Sequence, residues 1–475
     1  MTLALAFSLL LQVTAVIIVL RGVRGQVFRH PGALLIIVAV IYDGVDEFAN
    51  RLIRPGPERY GLTIAEVDRW MWFVGPGILL LAVSYLATLR PSTLAHHRSS
   101  PSAMGAIIRT LDWRVLAALT APLYLYSVFG ALHTLRGASS ATYLQSGLTA
   151  QFMLPCLVLL SFSLVMRFGT RLILPVLLAQ SLLLLLLGER IPIVAALVML
   201  LFALQISGIR LSGRQVRLLV AGAMIAMLAI TLSRSVAGRT NFATNAGPTQ
   251  RLHALEVGLL HPGYMFKSVR SQYVYRLDGN DFASFTLAGI SKGIPPVGIT
   301  PLINNITLAI PSFLDPAKDS SPLATRSTEA LYEPRYEMPP MNRLPTLLGT
   351  LLGYFGPFWF EFLCILLGVF FGLADRWVQR PTAARIVLGI GLVLCVMLYE
   401  QSPAVYPLTF RGVLVILALV KAAELARQIA AQHMGERFAG LGRDRLPRPI
   451  GGVRDRSARI YPEDPGPLQT HFWSR

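Results

Sequence analysis

Eleven stretches of mostly apolar residues limit what this chain can fold into. They lie near residues 2–20, 32–49, 70–89, 114–132, 148–166, 172–187, 191–207, 216–232, 345–374, 384–400 and 404–420. A helix crossing the roughly 30 Å hydrocarbon layer of a membrane needs about 20 such residues, all with their backbone groups bonded internally. The pattern predicts an all-α polytopic membrane protein with about 11 transmembrane helices, 10 to 12 in all. Composition agrees. Hydrophobic residues are 54% and charged residues only 14%, against about 25% charged in soluble domains. That excludes the several soluble domains a chain of 475 residues would otherwise imply. The second stretch is the weakest, because Asp43, Asp46 and Glu47 sit in its last turns.

A formal net charge of +18 would point a soluble protein towards nucleic acid. Here the placing of the basic residues carries the meaning, and no nucleic-acid partner is expected. Loops on one side hold fifteen arginines, among them Arg21, Arg24, Arg29, Arg90, Arg376, Arg380 and Arg385; the short loops opposite hold six. Cytoplasmic loops carry the excess. This places the amino terminus outside, the carboxyl terminus in the cytoplasm, and the one long loop, residues 233–344, on the outer face. Met1–Leu20 lacks a basic leading segment and a small-residue cleavage site, so a retained helix is expected rather than a signal peptide. The expected organisation is therefore helices 1 to 8 over residues 1–232, the outer loop over 233–344, helices 9 to 11 over 345–420, and a basic, disordered cytoplasmic tail over 421–475. That tail, with ten basic and six acidic residues, is either solvated or in contact with anionic lipid.

A loop of about 110 residues exceeds what joins two packed helices and is a functional candidate on that ground. It holds eleven Lys or Arg, together with His253 and His261, among Tyr264, Phe266, Tyr273, Tyr275, Phe282 and Phe285. Guanidinium forks bind phosphate oxygens and aromatic rings stack on sugars, so this mixture suits a ligand joining the two; a solvated loop with interfacial aromatics is the alternative. Phe282–Leu314, broken by Pro295, Pro296, Pro301 and Pro311, predicts one or two short helices in the interface or dipping back towards the membrane.

Two apolar stretches meet at Gly188-Glu189-Arg190 with almost no linker. Arg190 is then either an ordinary turn residue reaching to water or a guanidinium held at headgroup level, where Arg234 and Arg239 lie at similar depth. Glu361 and Arg411 lie within the last helices, where charges pair or line a wet cavity. They are read either as an ion pair or as groups that hold substrate or accept a proton. Cys156, Cys364 and Cys395 sit in apolar stretches as small buried side chains, with no disulfide framework and no metal site expected. No P-loop, dinucleotide glycine fingerprint or G-x-S-x-G turn occurs.

Over residues 150–420 the chain resembles the O-antigen and oligosaccharide repeat-unit polymerases, called Wzy-like. The resemblance rests on the helix pair about Gly188-Glu189-Arg190, the stretch Ala309–Lys318, and Pro345–Gly372 with Gly349, Tyr354-Phe355-Gly356 and Gly368. Family members carry Gly after the turn arginine, where Ile191 stands here. The resemblance implies a metal-independent, GT-C-like glycosyltransferase of the bacterial inner membrane, without a cofactor. Its substrate would be undecaprenyl-pyrophosphate-linked oligosaccharide in membrane lipid, and its partners a chain-length regulator and a flippase. It implies Arg190, Arg234 and Arg239 at the pyrophosphate, Arg276, Arg343 and Arg411 as further substrate contacts, and His253, His261 or Glu361 as the base. An O-antigen ligase and a lipid-linked oligosaccharide flippase or other transporter are the competing functions. A reporter that is active only outside the cytoplasm should work when fused after Gly279 and fail after Val453; the reverse result would invert the topology.

Overall fold

The computed structural model describes residues 2–53, 58–59, 61–89, 113–134, 148–169, 172, 175, 191–209, 211–236, 253, 256–257, 260–261, 263, 279–310, 314, 332–338, 345–379, 382–400 and 406–443. They are almost wholly helical. The elements are α1 Leu3–Gly22, α2 Pro31–Ala39, α3 Asp46–Ile53, α4 Ile64–Thr88, α5 Trp113–Thr134, α6 Leu148–Phe168, α7 Ile191–Ile206, α8 Gly213–Val236, α9 Gly279–Ser291, α10 Thr300–Ala309, α11 Tyr332–Arg335, α12 Leu347–Phe355, α13 Pro357–Val378, α14 Ala383–Met397 and α15 Tyr406–Arg443. The strand residues described form one two-residue hairpin, β1 Glu58–Arg59 with β2 Leu62–Thr63, at the start of α4. Thr63 and Glu66 close a capping box there.

By length and composition α1, α4 and α13 are apolar enough to cross a membrane, and α5, α6, α7 and α14 contain shorter apolar helices. Their faces support an apolar surrounding. In α1 the large apolar residues Leu3, Phe7, Leu10, Val13, Ile17 and Leu20 are exposed, whereas Ala4, Leu5, Ser8, Gln12, Ala15 and Val19 are buried. In α13, Phe358, Trp359, Phe362, Leu366, Phe370 and Trp377 face out, and Cys364, Gly368, Gly372 and Asp375 face in together with Phe360, Phe371 and Val378. Large apolar residues on the outer faces, with small and polar ones among the apolar residues inside, suit helices packed in lipid. Trp359 and Trp377 are 18 positions apart, about 27 Å along a helix, matching the separation of two membrane interfaces. The outward isoleucines Ile303 and Ile306 of α10, with Ile310 just after it, repeat the pattern over buried Asn304 and Asn305.

Helix α4 is the centre of the bundle, packed by α1 on one side and α13 on another. The backbones approach closely. An added Cβ at Gly368 would lie 2.0 Å from Ser84 Oγ and 2.4 Å from the Leu81 carbonyl oxygen; at Gly372 it would meet Tyr85 O at 2.9 Å. Elsewhere α5 packs on α6, and α7 lies between α6 and α14. The chain divides into two compact units, Met1–Ala423 and Glu424–Arg475. The helices α1 to α14 lie in the first; of the second, residues 424–443 are described, as helix.

Three elements differ from expectation. The stretch expected as a single helix over 345–374 is broken into α12 and α13 at Gly356, whose φ is 78°. Gly tolerates that left-handed backbone, and Pro357 starts the next helix with its ring where no donor is needed. The last helix does not stop at 420 but runs to Arg443, because residues 421–443 are rich in Ala, Glu, Gln, Leu and Arg and free of proline. The second apolar stretch continues to Ile53 through a π-turn at Val40–Val45. Most of 172–187 lies outside the described residues. Replacing Gly368 by Ala should lower stability by about 1–3 kcal/mol, since backbone on the facing helix must move; a thermal unfolding midpoint equal to the parent's would refute this close approach.

Candidate functional site

The π-turn between α2 and α3 is where the bundle becomes polar. Widening one turn frees backbone carbonyls, and such turns occur often at functional sites. Here the freed groups are met by α9. Asn280 Nδ2 donates to the carbonyl oxygens of Asp43 at 3.2 Å and Tyr42 at 3.4 Å, while Trp70 Nε1 donates to Asn280 Oδ1 at 2.8 Å. From α1, Gln12 lies against Gly44 so closely that a Cβ there would sit 2.0 Å from Gln12 Oε1. The Asp43 carboxylate accepts a short hydrogen bond from the Tyr399 hydroxyl, and Tyr42 donates to Glu400 Oε2 at 3.0 Å. The Tyr42 and Tyr399 rings are 5.6 Å apart, and the Tyr399 carbonyl accepts from Leu347 N at 3.0 Å, tying this centre to the start of α12.

Asp43, Asp46, Glu47 and Asn50 of this segment are all buried, as are Asn280, Asp281 and Ser284 of α9. Helix α9 is buried from Asn280 to Gly289, an unusual state for a helix from a long loop. Its hydroxyls do not need outside partners, since Ser284 and Thr286 donate to the carbonyls of Asn280 and Phe282, both at 2.8 Å. On its far side Phe282, Phe285, Tyr332, Tyr336 and Tyr354 form a separate aromatic core. Burial holds the Tyr336 hydroxyl above the usual tyrosine range, so it stays a donor, 3.5 Å from Pro295 O. Arg335 Nε also binds Pro295 O, at 3.0 Å, fastening the chain between α9 and α10.

An ion-pair network lies at the end of the bundle where α1 and α4 begin. Arg51 contacts Glu47 Oε1 at 2.7 Å, Asp68 Oδ1 at 2.6 Å and Thr2 Oγ1 at 2.8 Å. At the opposite end buried Asp375 accepts from Tyr85 OH at 2.6 Å and from Gly32 N, the first turn of α2, at 3.3 Å; His30 lies 3.5 Å away. Arg29 Nε donates to Gln379 Oε1 at 2.6 Å, and Arg376 reaches the Thr88 carbonyl. Arginines counted together from the sequence, Arg29 and Arg376, thus gather at one end of the bundle. A carboxylate at the start of α2 meets the positive end of that helix.

The residues expected to act are dispersed. Arg190, Arg239, Arg276 and Arg343 lie outside the described residues; Arg234 falls in the last turn of α8. His253 is 75% exposed and its Nδ1 is 3.4 Å from Glu256, and His261 is also exposed. Glu361 is half-buried in the second turn of α13, within electrostatic reach of Cys364, as is Asp43. Arg411 is half-buried near the start of α15. The expectation that Phe282 and Phe285 offer rings to a sugar is overturned: both are 8% exposed or less, because the helix that carries them is enclosed on every side. Asn305 of the Asn-Ile-Thr sequence is likewise buried, donating to Pro301 O at 2.8 Å. The polar centre about Asp43 was not singled out from sequence; its one trace was the acidic run that weakened the second apolar stretch.

Compared with protein-family models, curated proteins and solved structures, the chain matches none. The site must be judged on its own chemistry. It is a set of acids, hydroxyls and amides sealed inside apolar helices, with one half-buried guanidinium at its edge. Replacing Arg51 by Ala removes the cation that faces Glu47 and Asp68, and should cost about 3 kcal/mol; a variant unfolding within error of the parent would show that the network is not holding α3 to α4.

Proposed function

We propose that the chain is a metal-independent membrane glycosyltransferase that polymerises lipid-linked oligosaccharide repeat units on the outer face of the bacterial inner membrane, with the amino terminus outside. The observation that carries this reading is α9. A long basic and aromatic loop sends a helix into the apolar bundle and binds its Asn280 to the main chain of the acidic π-turn. A loop whose basic and aromatic residues suit phosphate and sugar is thereby joined to a polar centre within the bundle, which supports a substrate with a lipid tail, a pyrophosphate and a glycan. The resemblance to repeat-unit polymerases over residues 150–420 supports the same function.

In that reaction the acceptor sugar hydroxyl attacks the anomeric carbon of the growing glycan. The bond from that carbon to the pyrophosphate oxygen breaks, the hydroxyl proton passes to a base, and undecaprenyl pyrophosphate leaves with the bond's electron pair. Arg190, Arg234 and Arg239, with Arg276 and Arg343, would meet the charge on the leaving group, as fixed cations do best where water is scarce. Of the three bases considered, Glu361 stands within the bundle, whereas His253 and His261 are exposed; that favours Glu361, with Arg411 as a further substrate contact. The partners of such an enzyme are a chain-length regulator and a flippase.

One observation favours a second reading. Buried acids at Asp43, Glu400 and Asp281 are the kind of groups that line a substrate or ion path in a transporter. Surface-glycan length on a gel separates the functions. Deleting the gene should abolish long chains while single-repeat products persist, and restoring it should return them; loss of single-repeat products too would favour export or final attachment. The Arg190→Ala chain, matched for expression, should form at least about tenfold less polymer, equivalent to roughly 1.4 kcal/mol. Unchanged chain lengths would remove Arg190 from the site.

A further inference from the structure

The Asp43 carboxyl has a coordination that glycan transfer does not explain. It is fully buried, at 0% exposure, inside a helical segment made of Ile, Val, Leu and Ala before it. Oδ2 accepts from the Tyr399 hydroxyl; Oδ1, equally enclosed, has no hydrogen-bond partner. Among the described residues no Lys, Arg or His pairs with it. Most other buried acids here are provided for. Glu47 faces Arg51, Glu400 accepts from Tyr42, and Asp375 receives a phenol and a backbone amide.

The groups that face Asp43 come from several elements. Tyr399 follows α14, with Glu400 beside it; Tyr42 adjoins Asp43 in the π-turn; Cys364 and Glu361 are on α13; Gln12 is on α1 and Asn280 on α9. Tyr406, at the start of α15, lies within electrostatic reach of Tyr399, and its buried hydroxyl also has no partner. Every one of these groups is acidic or neutral. An ionised carboxylate with a single donor, in a place without a cation, costs several kcal/mol more than the same group as an acid. No three His, Cys, Asp or Glu side chains among the described residues converge as a metal ion requires. The cation that fits the vacant lone pair of Oδ1 is a proton.

We infer that Asp43 is a proton-binding site in the middle of the bundle, taking up and releasing a proton at Oδ1 while Tyr399 holds Oδ2. The backbone carbonyls of Tyr42 and Asp43 are the atoms that anchor α9 through Asn280. A charge appearing or vanishing at Asp43 therefore acts on the same turn that holds the loop helix in place. The inference does not depend on glycan transfer and stands or falls on the carboxyl itself.

Dicyclohexylcarbodiimide, an apolar reagent, tests it. It reacts with a carboxylic acid but not a carboxylate: the acid proton passes to a carbodiimide nitrogen, and the carboxyl oxygen bonds to the central carbon. The adduct rearranges to an N-acylurea that keeps every atom of both reactants. Purified full-length protein in lipid vesicles, without added glycan, is treated across a pH series and its peptides are mapped by mass. The peptide holding Asp43 should be labelled at acidic pH, and the label should fall about tenfold per pH unit above its midpoint. A water-soluble charged carbodiimide should label it at least about tenfold less, as a site walled by apolar helices requires. Exchanging sodium for choline at constant ionic strength should leave the label unchanged. An unlabelled Asp43 in folded protein, a label independent of pH, or protection by sodium at fixed pH would each overturn the inference, the last assigning a small cation in place of the proton. In Asp43→Asn the label should vanish from this peptide; because the readouts above use the unaltered chain, poor folding of that variant would not rescue the inference.

Discussion

Close contact between α4 and α13 is the constraint on which the rest of this structure depends. Gly368 and Gly372 let the backbones meet where a single methyl group would collide with carbonyl oxygens. Beside these glycines Trp70, Leu81, Phe360 and Phe371 are buried, while Phe358, Trp359, Phe362, Leu366 and Phe370 point out. Attraction between the helices then comes from many short van der Waals contacts and a few hydrogen bonds. The close approach brings Tyr85 to Asp375 and Trp70 to Phe360, whose rings are 5.3 Å apart. On the other face of α4, Gly75 admits Ser8 of α1 just as tightly, with the Ser8 Cα 2.8 Å from where a Cβ would be. Three helices are therefore indexed against one another by residues with little or no side chain.

Once that seam is fixed, polar groups inside the bundle can be satisfied only by one another. The π-turn exposes carbonyls at Tyr42 and Asp43, and Asn280 supplies the donor. Trp70, held by the α4–α13 contact, orients Asn280 in turn. This chain of dependencies accounts for the burial of α9. It is drawn in by hydrogen bonds at one end and by the Phe282–Tyr332–Tyr336 cluster along its outer side.

How much of this was legible in the sequence follows from the range of each interaction. Apolar length is local, so α1, α4 and the later helices fall where the hydrophobic stretches do. Gly356-Pro357 carried the signal for a break, but the unbroken hydrophobicity from Pro345 to Gly372 hid it. The π-turn leaves no local mark except that Asp43, Asp46 and Glu47 weaken an apolar stretch. Their partners are far along the chain: Asp43 meets Tyr399, 356 residues away, and Gly32 meets Asp375, 343 residues away. A reading by spacing cannot pair such residues, and it valued exposed loop charges over these buried ones. Of its chosen residues, Glu361 stands near the polar centre, while His253 and His261 lie on the surface. The rings at Phe282 and Phe285 were credited to a ligand because they sit in a loop, whereas they build a core.

Depth along the bundle ties the two polar regions to different tasks. Asp375 grips the start of α2 at Gly32, and Asp43 follows eleven residues later, about 16 Å along the helix. The exposed tryptophans of α13 are about 27 Å apart along the helix, and Asp43 lies between their levels, in the half of the bundle towards Trp359. The Tyr85–Asp375–His30 cluster joins helix ends that have short connections and little freedom. The Asp43 cluster instead joins a distorted turn to α9, which follows far along the chain. In the proposed reaction a lipid-linked pyrophosphate would meet the loop carrying α9 first. Through α9, 13 residues or about 19 Å long, what the loop binds can be felt at the π-turn without any substrate having to descend to Asp43.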